Sequence, residues 1–545
     1  MEYLDMLMAI LLTVLSVLLF ILAKVAETKK TQKWRICYAV PAMITLFITG
    51  FAGVEIYMLP AYIAAVVLLA GFFSDGSRIR RISAVVSAVL AVVTIPVCML
   101  STGYRAYDYA DDFRFGIKAM EDHYVLSEHK NIDYDALYKE FMPRFEEVNR
   151  TQDSLENAIL WTEFCARFND GHVGYMPSNV SENAMYDKIL GNDYGIAPMT
   201  LSDGRTAAVN VAPDSEASKA GIHNGTIITA WDGIKPEDIN DEVLKYFSFS
   251  DKDTRAFLRT IICGGTGGDS ITVTFLDDSG NEKTAVLPKI GEYYSGRFKE
   301  AIEKINGGIE TGHLMWEELD QHTSALRLKM MSYDSDASES GEYSLLKSDI
   351  IKKLEEMKAQ GKDHVIIDMR ENSGGDGRMV KTLASIFAPI GEHYYCADAL
   401  WSEVDGGYFT DENGKFKKDV DNYVTGEALW DGKLTIIVDH NSASAADHFV
   451  EVMQGMPDVT VIGFTEPNGS AQGVGGVYFD DHSSLSFSGS LLLDENGEVY
   501  IDSGVAQESG NDVDVIIPFD EEAVRNIFDE GKDHLLIKAQ EIYLQ

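Results

Sequence analysis

The sequence predicts a multidomain chain: an N-terminal transmembrane region of about four helices (1–103), a helical segment (104–190), a small β domain (191–291) and a layered α/β core (292–545). Three observations predict it. Long apolar runs stop abruptly near residue 104, helical spacing of apolar residues follows to about 168, and strands alternate with helices after 322.

The apolar runs cover about 4–24, 36–54, 57–73 and 82–100, each near the roughly 20 residues needed to cross a hydrocarbon core. The front of the first run is acidic (Glu2, Asp5), the run is long and no small-residue cleavage site follows it, which argues against a cleaved leader. Lys24, Lys29, Lys30, Lys33 and Arg35 lie between runs one and two, and Arg78, Arg80 and Arg81 between runs three and four. Basic loops stay in the cytoplasm, so the expectation is a multi-pass protein of a bacterial cell membrane with everything after about residue 103 extracytoplasmic.

The formal net charge is −40, and residues 1–104 hold more basic than acidic groups, so the acidic excess falls entirely on the remainder. Such a surface repels nucleic acid and anionic lipid. Cys165, Cys263 and Cys396 are scattered singly, giving neither a disulfide framework nor a metal-binding spacing. His440, Asn441, Asp447 and His448 cluster without an HExxH or CxxC pattern, so no metal and no cofactor is expected.

In the helical segment, "ADDFRFGIKAMEDHY", "DYDALYKEFMPRFEEV" and "SLENAILWTEFCARF" carry apolar residues three and four apart. The last gives way to "NDGHVGY", where Asn-Asp-Gly stops a helix and leaves His172 on a loop. Residues 191–290 read as short strands broken by Pro, Asp-Gly and Ala-Gly. Past 322, "TSALRLKMMSY", a helix over "YSLLKSDIIKKLEEMKAQG" and "HVIIDMRENSGGDGR" begin a strand–helix alternation. The strand "KLTIIVDH" then runs into "NSASAADHFVEVM", which puts Ser444 on a sharp strand-to-helix turn. A hydroxyl there is exposed, and the following amide, that of Ala445, can face a developing oxyanion.

The stretch "VAPDSEASKAGIHNGTIITAWDG" resembles the central strand, helix and strand of a PDZ domain of the bacterial protease type. That resemblance implies a carboxylate-binding loop at Tyr194, Gly195, Ile196 and Ala197, with 198–201 as the edge strand that a peptide tail extends. With "IIDMRENSGG", "NSASAAD" and "GFTEPNGSAQ" in the same order, the chain resembles the tail-specific, or C-terminal-processing, serine peptidases, a group that includes the tricorn protease core. The resemblance implies Ser444 as nucleophile, with the amides of Ala445 and either Gly374 or Gly375 as oxyanion hole, while Asp447 reads as a helix-start cap. Where Ser-Lys members carry a basic lysine, this sequence has Asn468, whose amide cannot accept a proton. The tricorn-like branch uses Ser, His and Glu, which implies His172 as base and Glu508, with Asp170 as local competitor, as the acid that orients it; Gly171 stands where that branch has a serine.

The expected function is a membrane-anchored serine endopeptidase acting through an acyl-enzyme on apolar C-terminal tails or unfolded segments. Its partners are then peptide or protein substrates, with the chain embedded in a membrane and no nucleic acid bound. The alternative is a catalytically silent peptide-binding relative serving as a membrane sensor or scaffold.

Overall fold

The computed structural model describes residues 107–545 except 240, 266, 309–313, 334–342, 403–405, 504–509 and 545, together with Ile82, Val85, Val86 and Val89. The expected four-helix transmembrane region is corrected: among the described residues no helix is long and apolar enough to cross a membrane. The longest described in full, α2 (Tyr134–Thr151), has 18 residues and is studded with charge. The four apolar segments of the sequence lie outside the described residues, apart from the four helical positions just named.

Helices α1 (Tyr109–His123), α2 and α3 (Ser154–Ala166) follow the predicted periodicity. Asp133 caps α2 by accepting from Ala136 N, and Asp153 caps α3 by accepting from Leu155 N and Glu156 N. Their shared interior is aromatic: the Phe113 and Phe145 rings stack at 4.3 Å, with Trp161 and Phe164 edge-on to Phe113. Phe479, Leu485 and Phe487 complete this cluster from far along the chain, so the helical segment shares a core with the C-terminal half. Past α3, strand β1 (Gly174–Met176) joins that half as an edge strand, and α4 (Glu182–Leu190) leads into the β domain.

The β domain is a five-stranded antiparallel sheet in sequential order: β2 (Ala197–Thr200), β3 (Thr206–Val209), β4 (Ile227–Trp231), β5 (Ser270–Leu276) and β6 (Glu282–Pro288). The short α5 (Glu216–Lys219) and α6 (Lys252–Ile262) interrupt it. α6 lies on edge strand β2, and the Thr200 and Thr260 hydroxyls bond at 2.9 Å. α7 (Ser295–Ile305) then leads to the core.

The core sheet has the order β19-β15-β14-β9-β8-β7, comprising β7 (Leu314–Glu318), β8 (Thr323–Leu328), β9 (His364–Asp368), β14 (Lys433–Val438), β15 (Val459–Gly463) and β19 (Val515–Ile516). It is parallel except for the antiparallel edge strand β7. The crossover helices are α8 (Ser344–Ala359), α9 (Gly377–Phe387) and α10 (Ala445–Met453). "HVIID" is buried along its whole length, as a parallel strand covered on both faces must be. Alternation divides it: Val365 and Ile367 pack with residues of α8, α9 and α10, while Ile366 packs with Leu535 and Ala539 of the closing helix. After the short α11 (Glu521–Val524), that closing helix is α12 (His534–Tyr543), capped by Asp533.

Outside the core sheet, β10 (Gly391–Ala399) pairs with β13 (Lys418–Gly426) and β18 (Leu492–Leu493), and β11 (Trp401–Ser402) with β12 (Gly407–Tyr408). β16 (Gly473–Tyr478) and β17 (Ser484–Ser490) form a sheet with β1. Cys165, Cys263 and Cys396 are buried free thiols.

Candidate active site

Adjacent parallel strands β9 and β14 both end in tight turns, and their carboxyl ends are where an α/β sheet leaves room for a ligand. The two turns are laced together. Ala443 N donates to Asn372 O at 2.9 Å, and Ser442 Oγ donates to Met369 O at 2.9 Å. Ser444 stands at φ 57° and ψ −117°, half-buried at the start of α10. A non-glycine residue there is strained by roughly 1–3 kcal/mol and persists only where its surroundings impose it. Those surroundings include a bond from Ser444 N to Ser470 O at 2.9 Å and one from His448 N to Ser444 O at 3.0 Å.

Gly374, at φ 93°, faces this turn so closely that a Cβ would come within 2.6 Å of Ser444 Cβ and 2.9 Å of Ala445 N. Only bare backbone fits. Its own N–H is taken by Asn372 Oδ1 at 2.9 Å. The amides of Gly375 and Ala445 donate to nothing among the described bonds, and Gly375 is pinned beside Met331 by a parallel bridge. Of the two glycines expected to donate, Gly375 therefore has the available N–H, while Gly374 supplies clearance.

The NDGH loop arrives from the other side. Gly171 N donates to Ser470 Oγ at 2.8 Å, so Ser470 joins the His172 loop to the Ser444 turn. A Cβ on Gly171 would lie 2.2 Å from Asn468 Oδ1. Gly171 and Asn468 thus fit one another: the carboxamide occupies the space a side chain at 171 would need. Asn468 Nδ2 donates to His440 O at 3.0 Å, and its buried Oδ1 has no hydrogen-bond partner among the described residues.

Both ring nitrogens of His172 are buried without hydrogen-bond partners among the described residues. Burial holds its pKa below the ordinary histidine value, with Asp170 pulling weakly the other way. Asp170 lies close but does not bond the ring: its carboxylate accepts His172 N and Ser488 Oγ, each at 2.8 Å. Glu508 lies outside the described residues. His448 is near enough for its own pKa, lowered to about 4 chiefly by burial, to feel His172.

Asp447, read from sequence as a helix cap, is fully buried and holds the neighbouring segment, accepting Gly469 N at 3.0 Å and Ser470 N at 3.2 Å. Burial pushes its pKa up to about 7 against the pull of those amides.

Tyr194, Ile196 and Ala197 are buried in the β-domain core. Gly195 N is bonded to Asp193 Oδ1 at 2.8 Å, and Arg297 Nε holds the same carboxylate at 2.6 Å. In this structure the four residues form a closed loop whose glycine amide is already engaged. Among the described residues no group of three His, Cys, Asp or Glu side chains is placed to hold a metal ion.

Residues 325–509 match peptidase family S41, a span containing both turns described above. Mature CPAF complexed with lactacystin is 15% identical, with 80% of this chain and 98% of that chain covered at a TM-score of 0.50. A mutant crystal structure of the same protein is 14% identical over 79% of this chain and 98% of that one, at 0.51. A putative peptidase from Parabacteroides merdae is 16% identical over 80% and 97%, at 0.43. At these identities the CPAF structures speak for the fold alone. The chain thus carries a segment similar to peptidase family S41, set in a fold similar to that of CPAF.

Proposed function

We propose that this chain is a serine endopeptidase in which Ser444 attacks the scissile carbonyl and His172 takes its proton. The observation carrying this reading is the strained Ser444 turn, beside two amides that donate to nothing among the described residues and tied through Ser470 to a loop whose buried imidazole has no hydrogen-bond partner among them. Attack moves the hydroxyl proton to the neutral imidazole and a negative charge to the carbonyl oxygen, which the amides of Ala445 and Gly375 receive. Collapse returns the proton to the leaving amine, and water repeats the sequence on the acyl-enzyme. In the tricorn-like arrangement Glu508 would orient the imidazole.

The five-stranded sheet with α6 along its edge supports a PDZ-type reading, with an apolar polypeptide tail as ligand. A tail added along β2 would need a strand's spacing of about 4.8 Å, so α6 must yield first. Asn468 favours a second reading, a binding-only relative, because it removes the lysine base.

Labelling with a serine-reactive fluorophosphonate separates the two. The peptidase reading expects labelling at Ser444 that Ser444→Ala and His172→Ala each nearly abolish. An unlabelled wild type with intact peptide binding replaces it with the second reading.

A further inference from the structure

Lys130 lies beyond α1 and outside every motif named so far, yet its side chain is 4% exposed. An ammonium carries three donors and needs three acceptors when buried. Here Nζ donates to Asn169 O at 3.0 Å and Ser503 O at 2.7 Å, and it lies 2.9 Å from Asp502 Oδ1, a side chain with no exposure at all.

The first two acceptors belong to the two segments that frame the site. Asn169 opens the His172 loop. Ser503 N donates to Gly469 O at 3.3 Å, and Asp502 forms a bridge with Ser470. Ser470 in turn holds Ser444 N through its carbonyl and Gly171 N through its hydroxyl. A closed circuit therefore runs from Lys130 to Asn169, along the loop to Gly171, across to Ser470, and back through 502–503 to Lys130.

We propose that Lys130 is a positioning residue that sets the spacing between the His172 loop and the Ser444 turn. It acts by joining the carbonyls of Asn169 and Ser503, a role that rests on the Ser444–His172 reading above. Charge-assisted bonds hold geometry more tightly than neutral ones. A lysine suits this place because its donors reach the carbonyls of both segments, and because its cation lies beside Asp502, whose carboxyl burial and Asp170 push well above the usual range against the pull of Lys130.

The test uses Lys130→Met combined with Asp502→Asn, which leaves neither partner of the pair charged and uncompensated, in the full chain. Hydrogen exchange reads the circuit directly. Exchange at Gly171 and Ser444 should rise about tenfold or more, the value of one such bond, while α2 and α3 stay protected. Fluorophosphonate labelling should fall by a similar factor with cooperative unfolding retained. Unchanged exchange at both amides overturns the proposal, and so does a rise spread evenly over α2 and α3, which marks general loosening. Where the wild type itself fails to label, the peptidase reading falls and the exchange pattern alone decides the role of Lys130.

Discussion

Replacing Gly374 with alanine tests the oxyanion geometry at its tightest point. The added carbon would sit 2.6 Å from both Ser444 Cβ and Ala443 O and 2.9 Å from Ala445 N. Ordinary carbon contacts begin near 3.5 Å, so the two turns must part by about 1 Å, and a misplacement of that size costs on the order of 100-fold in rate. The backbone adds strain of roughly 1–2 kcal/mol, because φ is 93°. Gly361, at φ 77° with nothing within 4 Å of where a methyl would stand, is the control: alanine there meets the same conformational strain without the collision. The assay is the rate of fluorophosphonate labelling beside the urea midpoint of unfolding. Both variants should lose some stability, but only Gly374→Ala should lose labelling, by about 100-fold. Wild-type labelling by Gly374→Ala would refute the claim that this clearance shapes the site.

Labelling should also fall with acid, because only the neutral imidazole is a base. Burial lowers the folded pKa of His172, so the neutral form persists further down, and the midpoint of a pH–rate profile should lie below about 6.5; a midpoint above it would contradict the burial argument. Asp447→Asn presents an amide N–H₂ to one of two backbone donors, at a cost of about 1–3 kcal/mol read from denaturant unfolding. In the wild type, Asp447 has a folded pKa raised to about 7, so its contribution is fully present below the unfolded value and is lost as pH rises toward and through 7. The stability gap between wild type and Asp447→Asn should therefore narrow over that window, and a gap widening with pH would reverse the sign. Arg370 is fully buried between Asp368 and Asp533, so Arg370→Met should destabilise by about 3–5 kcal/mol in equilibrium unfolding.

The core was legible because its strands must be apolar on both faces. "VIID" and "LTIIV" read as buried strands, and each ends at a turn with a small residue where the site is built. The helical segment was legible by spacing, but its dependence on Phe479, Leu485 and Phe487 was not, since nothing local reports a partner some 300 residues away. Asp447 was legible as a group at its own helix start, but not as the holder of another segment, because only tertiary contact brings Gly469 and Ser470 to its carboxylate. The choice between Gly374 and Gly375 was undetermined for a similar reason: Asn372 consumes one amide, and only the fold shows which.

The closed state of the β domain follows from the same accounting of donors. A carboxylate-binding loop must keep its amides free, yet Gly195 N is already met by the carboxylate of Asp193, which Arg297 holds in place. The neighbouring groove is closed as well, with α6 bonded to β2 through Thr260 and Gly264 pressed against Pro198. On the PDZ-type reading proposed above, a tail must displace both contacts to bind, and each displacement subtracts from its affinity. Arg297→Ala would free Asp193 to turn outward, leaving its negative charge near the incoming carboxylate. Removing the carboxylate instead, with Asp193→Ala, should strengthen binding of an apolar-ended peptide in a fluorescence anisotropy titration, and an amidated peptide should show no such gain. Equal gains for both peptides would mean that the loop does not read the carboxylate and that the groove recognises side chains alone.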